Sequence, residues 1–211
     1  MHRIAPIAAT LACAPAGAPA LVEWAEARRI AAAPVHEAAT LRARCATLHG
    51  GARDLCVEGL ARRGDAGVNM RDCRSVQDEG LHDSCVIWVA NDKLSRLPSP
   101  ARGLAACREA GVQTAHCAKH FGKARERWWR AEGLTRAADD LAVLAAAFPA
   151  ESLNPDVART VGEALRASVG VEPGVTLCNT LPGAGASACA QAVATGAPPG
   201  RVGSSPVRAA G

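Results

Sequence analysis

The residues of this chain best equipped for chemistry are its nine cysteines and six histidines. Eight cysteines form four pairs of nearly constant spacing: Cys45 and Cys56 lie 11 apart, Cys73 and Cys85 12, Cys107 and Cys117 10, Cys178 and Cys189 11. Thiols can bind metal, exchange electrons or lock a fold. Metal and haem sites usually need Cys-x2-4-Cys or Cys-x-x-Cys-His, and redox exchange needs Cys-x-x-Cys; none of these occurs. Structural disulfides remain. On one straight helix, residues 11 apart are separated by about 16 Å, whereas a disulfide needs Cα atoms within about 7 Å. Each interval must therefore bend. Each carries a glycine near its middle, at Gly50 and Gly51, Gly80, Gly111, and Gly183 behind Pro182. Gly50 and Gly111 stand where a helix end wants a left-handed residue, and Pro182-Gly183 is a turn dipeptide. The spacing predicts helical hairpins clipped by local disulfides. The rival pattern puts two cysteines on each helix of a pair; only Cys107 to Cys117 has the matching interval, and a mid-interval glycine suits it poorly.

His116 and His120, four apart, share a helix face and could hold two corners of a zinc site. A third ligand would come from elsewhere, with His49 and His82 as the candidates. The same segment, Val112 to Ala131, carries an apolar stripe of Cys117, Phe121, Ala124, Trp128 and Ala131 at heptad spacing. One residue earlier each time, His116, His120, Lys123, Arg127 and Arg130 make a largely basic stripe, with Lys119, Arg125 and Arg136 nearby. A basic amphipathic helix with tryptophan suits an anionic polymer, acidic lipid headgroups or nucleic acid, and equally a solvated face packed on a neighbour. Lys123, Arg127, Trp129 and Arg130 are the candidate binding surface, with Trp129 outside both stripes and favouring binding if exposed beside the arginines. Nothing is specific to nucleic acid. Phosphate-cradling glycine loops, nucleophile elbows and His-Glu-x-x-His are absent. Asp139 and Asp140 read as acids opening a helix, and Asp54 and Asp83 as first-turn acids before their cysteines. No catalytic residue, cofactor or metal site is predicted.

Helices must position these groups. After each second cysteine the sequence repeats as Cys-[Val/Ala]-x-x-[Leu/Val/Phe]-[Ala/Gly], with Leu60, Val89, Phe121 and Val193 four residues on. Positions i and i+4 share a face, so cysteine and apolar residue point into one core. The pattern recurs without cysteine at Val157, Ala158, Val161 and Gly162, where Asn154-Pro155-Asp156 is a good helix start. The repeat origins 56, 85, 117, 157 and 189 step by 29 to 40 residues, the size of a two-helix unit. The expected helices are 21–33, 36–49, 53–63, 70–76, 81–93, 101–110, 112–131, 136–148 and 155–169, followed by a looser Gly/Pro stretch. The fold class is all-α: an array of about five helical hairpins, stacked as a solenoid or gathered in an irregular bundle, four of them clipped.

Aromatics make up 3% of the 211 residues and tyrosine is absent, so alanine supplies much of the core. Small side chains bury little area each, at about 25 cal/mol per Å². One disulfide closing such a loop adds roughly 3 kcal/mol in the chain-entropy model. Four sulfur clips point to an oxidising compartment. Residues 1–20 read as a signal peptide, with a basic start, a short apolar run and Ala18-Pro19-Ala20 as the cleavage site. Leu11-Ala12-Cys13 offers an alternative lipid anchor at Cys13; either route uses the unpaired cysteine. The domain spans 21–195 and 196–211 reads as a disordered tail. No stretch is long and apolar enough to span a membrane. The expected function is that of an exported, non-enzymatic helical-repeat module of a bacterial envelope or extracellular space, contacting a protein or an anionic envelope polymer. The alternative is a metal protein or enzyme built around His116 and His120.

Overall fold

The computed structural model describes residues 18–33, 38–64, 67–149 and 153–196. Its helices are α1 Ala18–Ala32, α2 Ala38–Ala46, α3 Gly50–Arg62, α4 Met70–Cys73, α5 Glu79–Arg96, α6 Ala101–Arg108, α7 Thr114–Ala147, α8 Pro155–Val169, α9 Val171–Cys178 and α10 Ala184–Thr195. A 3-10 turn, Gly111–Gln113, leads into α7, and no strand occurs among the described residues. Cys13, most of the expected signal segment and residues 197–211 of the expected tail lie outside the described residues.

All four predicted pairs are bonded, with Cα separations of 5.6, 5.5, 5.4 and 5.4 Å. Each bond joins the last turn of one helix to the first or second turn of the next: α2 to α3, α4 to α5, α6 to α7, α9 to α10. Three of the reversals use glycine at φ 48°, 52° and 58°, at Gly50, Gly111 and Gly183. A Cβ is disfavoured in that region, so glycine is the residue that lets the chain fold back. The fourth reversal is made differently. Gly80 sits inside the first turn of α5, and the bend before it is held by Asp54 of α3. The Oδ2 atom of Asp54 accepts from the backbone N–H groups of Gln77 and Asp78, both at 2.9 Å. Asp78 then caps α5, accepting from Leu81 N–H at 2.9 Å.

The helices carrying the second cysteine stack in chain order, α3 on α5, α5 on α7, with α8 and α10 completing the row. The repeated motif shows why. Its cysteine and its apolar residue are buried in every copy: Cys56 and Leu60, Cys85 and Val89, Cys117 and Phe121, Val157 and Val161, Cys189 and Val193. The small residue that follows lets the next backbone approach. A Cβ on Gly122 would lie 2.6 Å from the carbonyl oxygen of Thr160, and one on Gly162 would lie 2.3 Å from that of Cys189. Gly59, likewise, lets α1 seat Ala31 against α3, where an added Cβ would stand 2.6 Å from the alanine methyl. Alanine-rich helices bury little area each, and close approach recovers contact that larger side chains would otherwise supply. Two clusters of buried residues result, one under α1 to α3 and one running from α3 to α10, with Val57 and Val68 packed against both.

The helices expected over 112–131 and 136–148 are both present, joined across a kink at Gly133, whose φ of 75° and ψ of −154° are not helical; α7 denotes the two together. The half after the break leads on to α8, while the half before it packs on α8 at Gly122 and Lys119; Asn154 caps α8 by accepting from Asp156 N–H at 2.8 Å. The Gly/Pro stretch expected to be loose is instead helical as α9. Pro173 falls in its first turn, where a missing N–H leaves no bond unmade, and Gly174 packs against Val193.

Candidate functional site

Counted from the second cysteine of each repeat, or from Val157, the same positions face the same neighbour along the row. Residues one before and three after turn to the preceding helix: Leu55 and Gly59, Ser84 and Trp88, His116 and His120, Asp156 and Thr160. Residues two and six after turn to the following helix: Glu58 and Arg62, Lys119 and Lys123, Arg159 and Glu163. The contacts repeat with them. Ser84 Oγ donates to Glu58 Oε1 at 2.8 Å, and the Arg62 guanidinium lies over the Trp88 ring at 5.9 Å. One junction further on, Lys119 Nζ stands 3.0 Å from Asp156 Oδ2, and Thr160 Oγ1 donates to the Lys119 carbonyl at 3.0 Å. The Lys119 ammonium holds the Asp156 carboxyl below its ordinary range.

Along this face the junctions open into grooves. The groove between α1 and α3 encloses about 430 Å³, that between α5 and α7 about 590 Å³, that between α7 and α8 about 390 Å³, and that between α8 and α10 about 400 Å³. Across the α3–α5 junction run the pairs Glu58–Ser84 and Arg62–Trp88. One ribbed surface therefore runs the length of the row, its register set by the cysteine repeat.

The α5–α7 groove holds His116 and His120, with Glu79, Asp83, Ile87 and Trp88 opposite. The two rings meet edge to face with centroids 5.6 Å apart. Burial lowers the His120 pKa, and the neighbouring His116 lowers it further. Neither histidine named as a third zinc ligand joins this pair. His49 pairs with Glu23 at 3.1 Å and His82 with Asp83 at 3.1 Å, and no group of three histidine, cysteine or acidic side chains could hold a metal among the described residues.

The basic stripe of α7 is exposed at Lys123, Arg127 and Arg130. Part of its charge is answered locally: Glu126 pairs with Lys123 at 2.9 Å and with Arg130, and Arg127 donates to the Ser95 carbonyl beside Trp128. Trp129, offered as part of the binding surface on condition of exposure, is in the core with 0% exposure, so it is no part of a binding face. The heptad reading placed it outside both stripes. The buried row of α7 instead advances by four, through Cys117, Phe121, Arg125 and Trp129, because Arg125 has a buried partner. Its Nε donates to Asp140 Oδ2 at 2.8 Å, its other nitrogens donate to the carbonyls of Leu94, Leu97 and Pro98, and Trp129 Nε1 donates to the same carboxylate at 2.9 Å.

Asp140, Asp54 and Glu58 are thus working acids that sequence reasoning read as helix-end charges or passed over. The one available signal was Gly133 inside a helical stretch, since the break there turns Asp140 back toward Arg125. No described helix is long and apolar enough to cross a membrane. Comparison with protein-family models, with curated proteins and with solved structures finds no match to this chain.

Proposed function

We propose that this chain is a non-catalytic interaction module of an oxidising compartment, exported to a bacterial periplasm, cell surface or exterior. Its stacked helices would present the ribbed face to an extended partner. The observation that carries the reading is the register of the face: equivalent positions of the repeats recur in the linings of the α1–α3, α5–α7, α7–α8 and α8–α10 grooves, as a surface that binds along a row requires. The four disulfides support the compartment, because such bonds persist where thiols are not kept reduced. They also hold a small-residue core together.

Two measurements test this. Thiol titration of freshly purified, denatured protein, with peptide mapping before reduction, should find Cys45 to Cys189 fully paired; eight free thiols would remove the compartment. Capture of envelope material should fall when Thr160 is replaced by arginine, which obstructs the α7–α8 groove. It should persist in the Lys123/Arg127/Arg130→Ala variant if the grooves rather than the α7 stripe make contact. Equal capture by wild type and Thr160→Arg would refute the groove face.

A further inference from the structure

The grooves of this face differ in charge, and the one between α1 and α3 is the most one-sided. Arg28, Arg62 and Arg63 line it, with Trp24 as an aromatic wall and Leu55 as an apolar flank. Its acid is Glu58, which is buried and already accepts from Arg62 at 3.0 Å and from Ser84 at 2.8 Å. The acids of α1 turn the other way, Glu23 to His49 and Glu26 to Arg29 and Arg44. Formally the groove carries three positive charges against one that is already paired.

Each guanidinium has five N–H donors. Arg63 uses one on the Ala31 carbonyl at 2.9 Å; Arg62, which stands at the groove's α5 side with its guanidinium 5.9 Å over the Trp88 ring, uses one on Glu58. Arg28 has no hydrogen bond or ion pair among the described residues. Most donors in the groove are therefore open, beside an indole that is 38% exposed. Planar guanidinium forks match the paired oxygens of a carboxylate or phosphate, and an aromatic wall receives a ring or short apolar body.

We infer that the α1–α3 groove, through Arg28, Arg62 and Trp24, binds an organic oxyanion: a carboxylate or phosphate ester carried on a flat or apolar body. This rests on the interaction-face reading and names the chemistry that one groove of that face would take. The anion would sit between Arg28 and Arg62, its body against Trp24 and Leu55. The neighbouring α5–α7 groove, with Glu79 and Asp83, has the opposite sign and would reject the same ligand.

The test is a titration of fully oxidised protein with phenyl phosphate and, separately, benzoate, following the indole N–H resonances. Inorganic phosphate and benzyl alcohol serve as the ring-free and charge-free arms. At least one of the two ring anions should shift the Trp24 signal saturably with a Kd of about 1 mM or tighter, weakening as salt is added. The stronger of the two tells whether carboxylate or phosphate is preferred. Benzyl alcohol should not saturate, and inorganic phosphate should bind more weakly than the preferred ring anion. R28A, at an exposed position without partners, should weaken that anion about tenfold, as loss of one charge-assisted contact predicts, and R28E should abolish its binding. The inference is overturned if neither ring anion saturates the Trp24 signal. It is equally overturned if R28A binds as wild type, or if the shifts fall on Trp88, Trp128 or Trp129 and not on Trp24. A flat titration of folded protein removes the oxyanion site alone; failure of the face itself shows in the Thr160→Arg capture.

Discussion

Replacing Asp140 with alanine is the sharpest test of what holds the long helix in place. Its carboxylate accepts from Arg125 Nε at 2.8 Å, Arg125 Nη2 at 3.2 Å and Trp129 Nε1 at 2.9 Å, and stands 3.2 Å from Arg136 Nε. The guanidinium of Arg125 is 0% exposed and otherwise meets neutral groups, the carbonyls of Leu94, Leu97 and Pro98 and the Trp128 ring at 5.1 Å. D140A therefore leaves a buried cation without a counter-charge, with Arg136 close to it. Breaking a buried pair on one side typically removes about 3–5 kcal/mol. For a chain of this size each kcal/mol moves Tm by about 2–4 °C, so the expected drop is about 6–20 °C. Urea unfolding followed by far-UV circular dichroism, with disulfides intact, measures the loss directly. R125M alone should also destabilise, since it strands Asp140 and the carbonyls of Leu94, Leu97 and Pro98. The double variant R125M/D140L should lose clearly less than the sum of the single variants, because neither charge is then left alone. A D140A loss below about 1 kcal/mol, or strict additivity in the cycle, would refute the pair as the anchor of α7.

Three further predictions follow from the same geometry. Gly162→Ala should destabilise by about 1–3 kcal/mol, because its Cβ would meet the backbone oxygen of Cys189 at 2.3 Å, whereas Ala158→Gly on the same helix should lose only propensity and a methyl contact; chemical denaturation compares them. Asp54→Ala should cost about 1–3 kcal/mol by leaving the Gln77 and Asp78 N–H groups without their acceptor, and faster amide exchange at those two residues in an NMR experiment would register it. In an NMR titration the His120 ring should protonate below the ordinary histidine value of 6.5, its neutral form being favoured by burial. The native state then binds fewer protons than the unfolded chain between the lowered pKa and 6.5, so this group's stabilising effect is present above 6.5 and lost as pH falls through the lowered value. His116→Ala should raise the His120 midpoint, since His116 contributes to the depression.

Much of the architecture was legible in the spacing of cysteine and glycine. Local disulfides cannot form without a reversal between them, and Gly50, Gly111 and Gly183 mark three of the reversals. The fourth was misread because Gly80 has the right position and the wrong job. Asp54, from another hairpin, supplies what the local sequence lacks, and no local pattern reports a clamp 23 residues away. The burial of Trp129 was illegible for a related reason. A heptad count and a four-residue advance diverge by one position over three turns, and only the buried partner of Arg125 decides between them.

The sequence by itself determined that this chain is helical, that it reverses at short intervals, and which sulfurs meet, because those outcomes rest on residues near one another along the chain. Tertiary structure alone decided which charges are buried, which tryptophan lies inside, and which positions line the grooves. Those depend on neighbours brought together by stacking. Once Gly122 and Gly162 admit the next backbone, each helix face is assigned by what approaches it, and a side chain's role follows from that contact rather than from its place in the repeat.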